Sequence, residues 1–314
     1  MKTVMITGAS GLIGRELTGM LLQKGYNVIA TDKTVSPFVG QPNFSFMQCD
    51  IVDKGKLASL IEGSKIDSLI HLACSVDNDI PSVITDKEID DSRGADKYIF
   101  KTAVGANIKD ILLLSTTQIY ATQKTREPIR ETADEKPMSY YAEMKADSEK
   151  ALVNNMKKGN TKVVIMRAAP IYTRKFPDNL HSKIYDFKDG VAYLYKEGEY
   201  GFSFCCLYNL IDFVIGILGH DGSYQYQGVY NIADTRPITA RQIVEFEREF
   251  HHLGAVIQRN YSADAVKATI SGAGKRPKTD YRYVDMGTVT SNIYIDNTKA
   301  QRISTFRWNL TNTK

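Results

Sequence analysis

Within its first residues the chain passes from an apolar run, Val4-Met5-Ile6, through Thr7-Gly8-Ala9-Ser10-Gly11-Leu12-Ile13-Gly14 into a stripe of Leu12, Leu17, Met20, Leu21 and Leu22. This pattern specifies a buried parallel strand that turns on three glycines into an amphipathic helix. Each glycine answers a separate demand: a sharp turn, a close approach of backbone to ligand, and tight packing of helix on sheet. The helix start then presents unpaired N–H groups and the positive end of a dipole, which suits phosphate. Glycine-rich turns are common, but the strand before and the helix after make this one a dinucleotide pyrophosphate cradle. Its members are Gly8, Ser10, Gly11, Leu12, Ile13 and Gly14.

The rest of the first half continues in kind. Val28 to Thr31, Phe44 to Met47, Leu69 to Leu72, Ile111 to Ser115 and Val163 to Arg167 read as strands with helical segments between them. Such alternation implies a Rossmann-type α/β fold, a doubly wound parallel sheet covered on both faces. After Ala168 the order becomes irregular, with loops from Thr173 to Asn179, a short strand near Val191 to Leu194 and a helix from Thr239 to Leu253. The expected division is a dinucleotide-binding domain over 1–168 and a smaller, mainly substrate-binding lobe over 169–314. Core elements near 205–234 return to the sheet, among them the strand Gly228 to Ile232.

Composition excludes several classes. A 43% hydrophobic, 24% charged chain of 314 residues is ordinary for a globular protein, so disorder is not expected. The net charge of +4 is spread along the chain without a basic tract or a nucleic-acid-binding signature, so nucleic acid is not an expected partner. Cysteines 49, 74, 205 and 206 show neither metal spacing nor a disulfide framework, and no signal segment precedes the first strand; a cytoplasmic location without a metal follows. The apolar stretch Cys205 to Leu218 is interrupted by Asn209 and Asp212 and falls short of the roughly 20 residues that cross a bilayer. It reads as a strand end running into a buried helix, with Cys205 and Cys206 packed inside.

Asp32 closes the second strand roughly 20 residues after the glycine turn, where a carboxylate binds adenosine ribose hydroxyls and repels a 2′-phosphate. NAD is favoured. Lys33 beside it leaves NADP open, and a plain turn or cap role for Asp32 fits the same position. Further on, Tyr141 and Lys145 stand four apart at the head of a helical segment after Pro137, on one face. A phenol of pKa about 10 is a poor base at neutral pH, but a neighbouring ammonium favours the phenolate. Tyr120 and Lys124 have the same spacing in a charged loop without helical pattern and receive no catalytic role. Thr116, at the end of the strand Ile111 to Ser115, opens its hydroxyl toward the crevice where open α/β sheets bind ligands.

Taken in order, Gly8, Gly11 and Gly14, Asp50-Ile51, His71-Leu72-Ala73-Cys74, Ser115-Thr116 with Tyr120, and Tyr141 with Lys145 resemble the extended short-chain dehydrogenases, the NAD-dependent epimerase/dehydratase family. Arg167, Leu210-Ile211-Asp212, Tyr230-Asn231-Ile232-Ala233 and Asp296 to Ala300 with Trp308 extend the resemblance over nearly the whole chain. It implies hydride chemistry in which Lys145 holds the nicotinamide ribose and acidifies Tyr141, Tyr141 exchanges a proton with the substrate hydroxyl, and Thr116 fixes that oxygen. It further implies cofactor contacts from Asp50 and Ile51 at the adenine, from Leu72, Ala73 and Cys74 along the channel, and from Ser115 and Arg167. His71 is expected to be a buried strand histidine. A homodimer through the helices flanking the tyrosine is the assembly that the family suggests.

Departures from the pattern bear on substrate. Thr117-Gln118 stands where dehydratases of the group carry Asp-Glu, so the acid and base for eliminating water are missing. Pro170 and Tyr172-Thr173-Arg174 replace residues common in nucleotide-sugar enzymes, and Asp91 replaces a structural asparagine. Ser75, Thr117, Arg174, Arg276 and Arg282 are the substrate candidates, with Lys275 beside the last two. Arginine's planar fork suits a diphosphate, although the Gly272–Arg282 segment reads more readily as a solvated basic loop. His251-His252 reads as a helix-end dipole contact. The expected substrate is a nucleotide-linked or phosphorylated sugar, handled by epimerisation or 4-keto reduction. A non-nucleotide hydroxyl compound and an NAD-sensing protein without turnover are the alternatives. The chain ends soon after Trp308, short of the final helix common in the family, so a trimmed lobe or an incomplete chain is expected.

Overall fold

The computed structural model describes residues 1–74, 84–120, 127–137, 139–156, 160–184, 192, 194, 196–220, 226–251 and 294–314. They divide into two compact units. A core unit comprises Met1–Thr116, Tyr140–Arg167 and Val214–Tyr230; a second unit comprises Thr117–Ser139, Ala168–Phe213 and Asn231–Lys314.

The core unit holds strands β1 (Thr3–Thr7), β2 (Asn27–Asp32), β3 (Phe44–Gln48), β4 (Ser68–His71), β5 (Asp110–Thr116) and β6 (Lys162–Ala168), with helices α1 (Leu12–Gln23), α2 (Lys54–Glu62), α3 (Asp86–Gly105) and α4 (Tyr140–Met156). Each strand falls where the apolar pattern predicts, lengthened by a residue or two, except β4, which keeps its expected length one residue earlier than Leu69 to Leu72. Together with Gly228–Ile232, they form one seven-stranded sheet in the Rossmann order, in which β5, β4, β1, β2 and β3 lie side by side and pair in parallel. The chain leaves β1 toward β2 on one side and reaches β4 on the other, so the order reverses between β1 and β4. Ligands of open sheets bind beyond the strand ends at such a switch. Register puts Thr7 level with both Thr31 and His71, at that mouth.

The inner strands β1, β4, β5 and β6 are apolar almost throughout because both faces are covered, whereas the edge strand β3 is only partly buried. Met5, Leu69, Ile111, Leu113, Val163 and Ile165 pack with Leu57 and Ile61 of α2, Ile99, Phe100 and Ala103 of α3 and Leu152 of α4 in one cluster. Each of these side chains larger than alanine contributes about 1.5–3 kcal/mol by leaving water. Helix α3 starts on a capping box, in which the Thr85 hydroxyl accepts the Glu88 N–H and the Glu88 carboxylate accepts the Thr85 N–H.

In the second unit β7 (Ile171–Tyr172) pairs in parallel with β9 (Cys205–Cys206), and β8 (Gly201–Phe202) pairs antiparallel with β11 (Ile238–Thr239). The helices are α5 (Asp178–Ile184), the start of α6 (Leu207–Leu218) and α7 (Ala240–His251); β10 is the strand Gly228–Ile232 already placed in the sheet. Cys205 and Cys206 are buried strand residues, as expected, and burial pushes both thiols up. Tyr172, Leu180, Phe202, Phe204, Ile243 and Phe246 form the core of this unit. Its polar hub is Asp234: the Cys206 N–H and Asn209 side-chain amide donate to Oδ1, both at 2.8 Å, and the Tyr172 hydroxyl donates to Oδ2 at 2.7 Å. Burial pushes the Asp234 carboxyl up to about 6, against the pull of those donors. The strand expected near Val191 to Leu194 lies in part outside the described residues. No helix among the described residues is long and apolar enough to cross a membrane.

Candidate active site

The glycine turn leaves β1 at Gly8, whose φ of +73° and whose backing by Ala73 exclude a side chain: a Cβ there would sit 2.8 Å from the Ala73 nitrogen. A Cβ on Gly14 would lie 2.1 Å from the Gly8 carbonyl oxygen, so this glycine lets α1 rest on the turn itself. Gly11 differs. A Cβ on it would meet only the Gly8 carbonyl, at 3.6 Å, so its side faces open space. Gly11 is also the N-cap of α1, and no side chain caps the first-turn amides of Leu12, Ile13 and Gly14. An open cradle over uncapped amides at a helix start is what a pyrophosphate requires.

Asp32 sits at the end of β2 and holds the turn. Its Oδ2 accepts the Ser10 N–H at 3.0 Å and its Oδ1 the Thr34 N–H at 2.9 Å, while the Ser10 hydroxyl donates to the Thr34 carbonyl at 2.7 Å. Each carboxylate oxygen keeps a lone pair for a ribose hydroxyl. The two readings of Asp32 left open by sequence are therefore compatible. Arg15, unremarked in the sequence, donates to the Ser10 carbonyl at 3.2 Å from the first turn of α1. Lys33 and Asp50 are exposed and Ile51 is buried; Leu72, Ala73 and Cys74 follow β4, half-buried. These residues fit a dinucleotide: Gly11 and the amides for the diphosphate, Asp32 for the adenosine ribose.

The second group converges on the end of β5. Thr116 is its last residue and is buried; Tyr141 is the second residue of α4, half-buried, and Lys145 lies one turn later, 4% exposed. The Lys145 ammonium donates to the Leu114 carbonyl of β5 at 3.2 Å and lies 5.9 Å from the centre of the Tyr141 ring. One hydrogen bond thus moors the helix carrying the phenol to the strand carrying the hydroxyl. The same helix face continues to Glu149, which sequence reasoning missed. Its carboxylate accepts the Arg167 Nη2–H at 2.7 Å and Nε–H at 3.2 Å, and the Ser115 hydroxyl as well. Arg167 and Ser115, cofactor candidates by resemblance, are thus tied to a buried carboxylate between β5, α4 and β6. Its signal in the sequence was its place four residues after Lys145, on the buried face.

In the second unit Thr117 begins the short 3-10 turn Thr117–Ile119. Arg174 lays its guanidinium on the Phe250 ring at 4.3 Å, and its carbonyl accepts His251 Nε2–H at 2.8 Å. His251 Nδ1 faces Glu247 Oε2 at 3.0 Å, and burial pushes the Glu247 carboxyl up, opposed by His251. The helix-end histidine therefore serves its own helix and the Arg174 carbonyl. Asp91 on α3 pairs with Lys87. Ser75, Lys124, His252, Lys275, Arg276 and Arg282 lie outside the described residues. Among the described residues no three His, Cys, Asp or Glu side chains are grouped to hold a metal.

Comparison with known proteins places these features in context. The model of the NAD dependent epimerase/dehydratase family matches residues 4–233. A dTDP-D-glucose 4,6-dehydratase of Dictyostelium discoideum is 27% identical over 205 residues, 58% of this chain and 47% of the relative. A uronate dehydrogenase of Pseudomonas putida is 26% identical over 144 residues, 44% of this chain and 49% of the relative. The chain thus spans about half the length of these curated relatives. Among solved structures, a UDP-glucuronic acid 4-epimerase from Bacillus cereus in complex with NAD superposes with a TM-score of 0.73 at 18% identity, covering 99% of this chain and 95% of that one. At that identity the likeness is one of fold.

Proposed function

The chain belongs to the NAD-dependent epimerase/dehydratase family and is an NAD-dependent enzyme; from that premise we propose that it interconverts a hydroxyl and a keto group on a nucleotide-linked sugar, with net epimerisation or 4-keto reduction as the outcome. The observation that carries this reading is the mooring of Lys145 to the end of β5, which sets the ammonium beside Tyr141 and both near the strand that ends in Thr116. NAD, when bound, supplies the hydride acceptor. Thr116 donates a hydrogen bond to the reacting oxygen and fixes it. Tyr141 takes the proton of the substrate hydroxyl as the carbon–hydrogen bond breaks and returns it in the reverse step. Lys145 holds the nicotinamide ribose and favours the phenolate form of Tyr141. In an epimerase the same cofactor returns the hydride and stays bound; a reductase releases it. Thr117 and Gln118 offer no carboxylate for dehydration, which separates this chain from the activity named for its Dictyostelium relative.

A second reading has its own support. Pro170 and Arg174 depart from the nucleotide-sugar pattern, Arg174 is committed to Phe250, and one relative is a uronate dehydrogenase. Oxidation of a free sugar acid is the corresponding reaction. The deciding experiment incubates the NAD-saturated protein separately with UDP-glucuronic acid, UDP-glucose and free glucuronic acid, and reads products by proton NMR. An epimeric UDP-sugar without net NADH supports the first reading; stoichiometric NADH from the free acid supports the second. No product from any of the three overturns the epimerase form of the first reading and the second reading; 4-keto reduction is tested with NADH and a UDP-4-keto-sugar, where absence of NADH oxidation overturns it.

A further inference from the structure

The core unit contains a buried carboxylate that this chemistry does not use. Asp96 lies on the inward stripe of α3 among Ile89, Ser92, Ile99 and Phe100. Its Oδ1 is 2.9 Å from His71 Nε2 on β4, and its Oδ2 accepts the Ser148 hydroxyl of α4. On the other side of the imidazole, Nδ1 is 2.7 Å from the Thr7 hydroxyl at the mouth of the glycine turn, and that hydroxyl oxygen lies 3.5 Å from the Ala73 N–H. Phe100 covers the ring edge-on at 5.3 Å. An ionised carboxylate only accepts, so His71 Nε2 carries a hydrogen. The Thr7 oxygen accepts from Ala73 and donates to Nδ1, and a neutral imidazole satisfies every atom.

The charges in this interior balance in one way. Among the described residues of the core unit, the buried charged side chains are Asp96, Lys145, Glu149 and Arg167. Glu149 and Arg167 neutralise each other through paired bonds. Asp96 and Lys145 remain, opposite in sign, and burial of either alone is strongly unfavourable. The nearby Arg93–Asp147 pair, 2.8 Å long between α3 and α4, is partly exposed and screened by water.

We propose that Asp96 is a positioning residue: through His71 and Ser148 it ties the glycine turn and β4 to α4, and its anion is the counter-charge of Lys145. The inference rests on the reading of Tyr141 and Lys145 as the acid–base pair. Ser148, which donates to Asp96, lies one turn beyond Lys145 on α4, so the anion sits on the Lys145 side of that helix; it opposes the Tyr141 phenolate, and its removal should ease ionisation.

Asp96→Asn keeps size and the acceptor for His71, reverses the Ser148 contact, whose hydroxyl can donate to the Met144 carbonyl instead and accept from the amide, and removes the charge. In NAD-saturated protein labelled at tyrosine Cζ, the Tyr141 resonance is identified by its loss in Tyr141→Phe and followed against pH by NMR. Its midpoint is expected to fall by about one unit in Asp96→Asn, the ordinary effect of one nearby charge in a protein interior, and to stay put in Asp147→Asn, which removes an acid exposed to water. An unmoved or raised midpoint in Asp96→Asn overturns the proposal. Should that variant fail to fold, ring-nitrogen NMR of the unaltered protein decides, with His71 assigned by elimination after single substitution of the other four histidines. A ring with its hydrogen on Nε2 and a bare Nδ1 is expected at neutral pH, as the Asp96 and Thr7 contacts require; an imidazolium or an Nδ1–H ring overturns the proposal. A wild-type Tyr141 that titrates like free tyrosine would instead remove the acid–base reading, an outcome separate from the histidine result.

Discussion

Replacing Gly14 by alanine inserts a methyl group 2.1 Å from the Gly8 carbonyl oxygen and 2.6 Å from the Ala9 Cα, over an ångström inside ordinary contact. Both neighbours are backbone, and Gly8 is itself backed by Ala73, so the turn has no flexible side chain to move aside. Overpacking of this kind costs about 1–3 kcal/mol, and a backbone clash belongs at the upper end. Alanine recovers about 1 kcal/mol of helix propensity. The net loss is about 2 kcal/mol, readable as a lower urea midpoint at unchanged slope. Gly11→Ala is the contrasting case. Its methyl group clears every protein atom by at least 3.6 Å and projects into the open cradle, so folding stability should change by less than about 0.5 kcal/mol. NADH binding, followed by fluorescence enhancement, should weaken at least tenfold, about 1.4 kcal/mol. The reasoning is refuted if Gly14→Ala unfolds at the wild-type urea concentration, or if Gly11→Ala binds NADH as tightly as the parent.

Other perturbations test the remaining elements. Glu149→Gln strands the Arg167 guanidinium in the interior and should cost about 3–5 kcal/mol by urea unfolding, whereas Glu149→Leu with Arg167→Met should recover most of it. Asp234 titrates near 6 when folded and near 3.8 when unfolded, so the stability linked to its protonation is complete below pH 3.8 and is lost as pH rises through 6. Asp234→Asn should accordingly flatten the stability curve between those values by about 3 kcal/mol; a curve parallel to wild type counts against the buried hub. Lys145→Met should abolish turnover of any accepted sugar while NADH binding falls by about tenfold or less; full turnover in that variant would place the chemistry elsewhere.

The architecture was legible because backbone demands are written locally. Strands covered on both faces must be apolar throughout, and the turn at Gly8 tolerates no side chain, so both appear in the sequence as short patterns. That Lys145 comes beside the Tyr141 ring was legible for the same reason: one helix fixes their spacing. What escaped notice is non-local. Asp96 meets His71 across 25 positions and Ser148 across 52, and nothing in a linear reading pairs them. The available signal was a charged residue inside the inward stripe of α3, between Ser92 and Ile99. Arg15 and Glu149 were hidden similarly, because each looks like an ordinary surface residue of its helix until β5, β6 or the turn is set against it. Arg174, an expected substrate ligand, has a ring partner in Phe250 that no spacing announces.

The acid–base pair at the end of β5 is tested most directly by mixing NAD-saturated protein with excess UDP-glucuronic acid in a stopped-flow cell and recording absorbance at 340 nm, where only the reduced cofactor absorbs. The account predicts a rise in the unaltered protein and none in Tyr141→Phe, with NAD binding equal in the two. A rise of the same size and rate in the phenylalanine variant would contradict it.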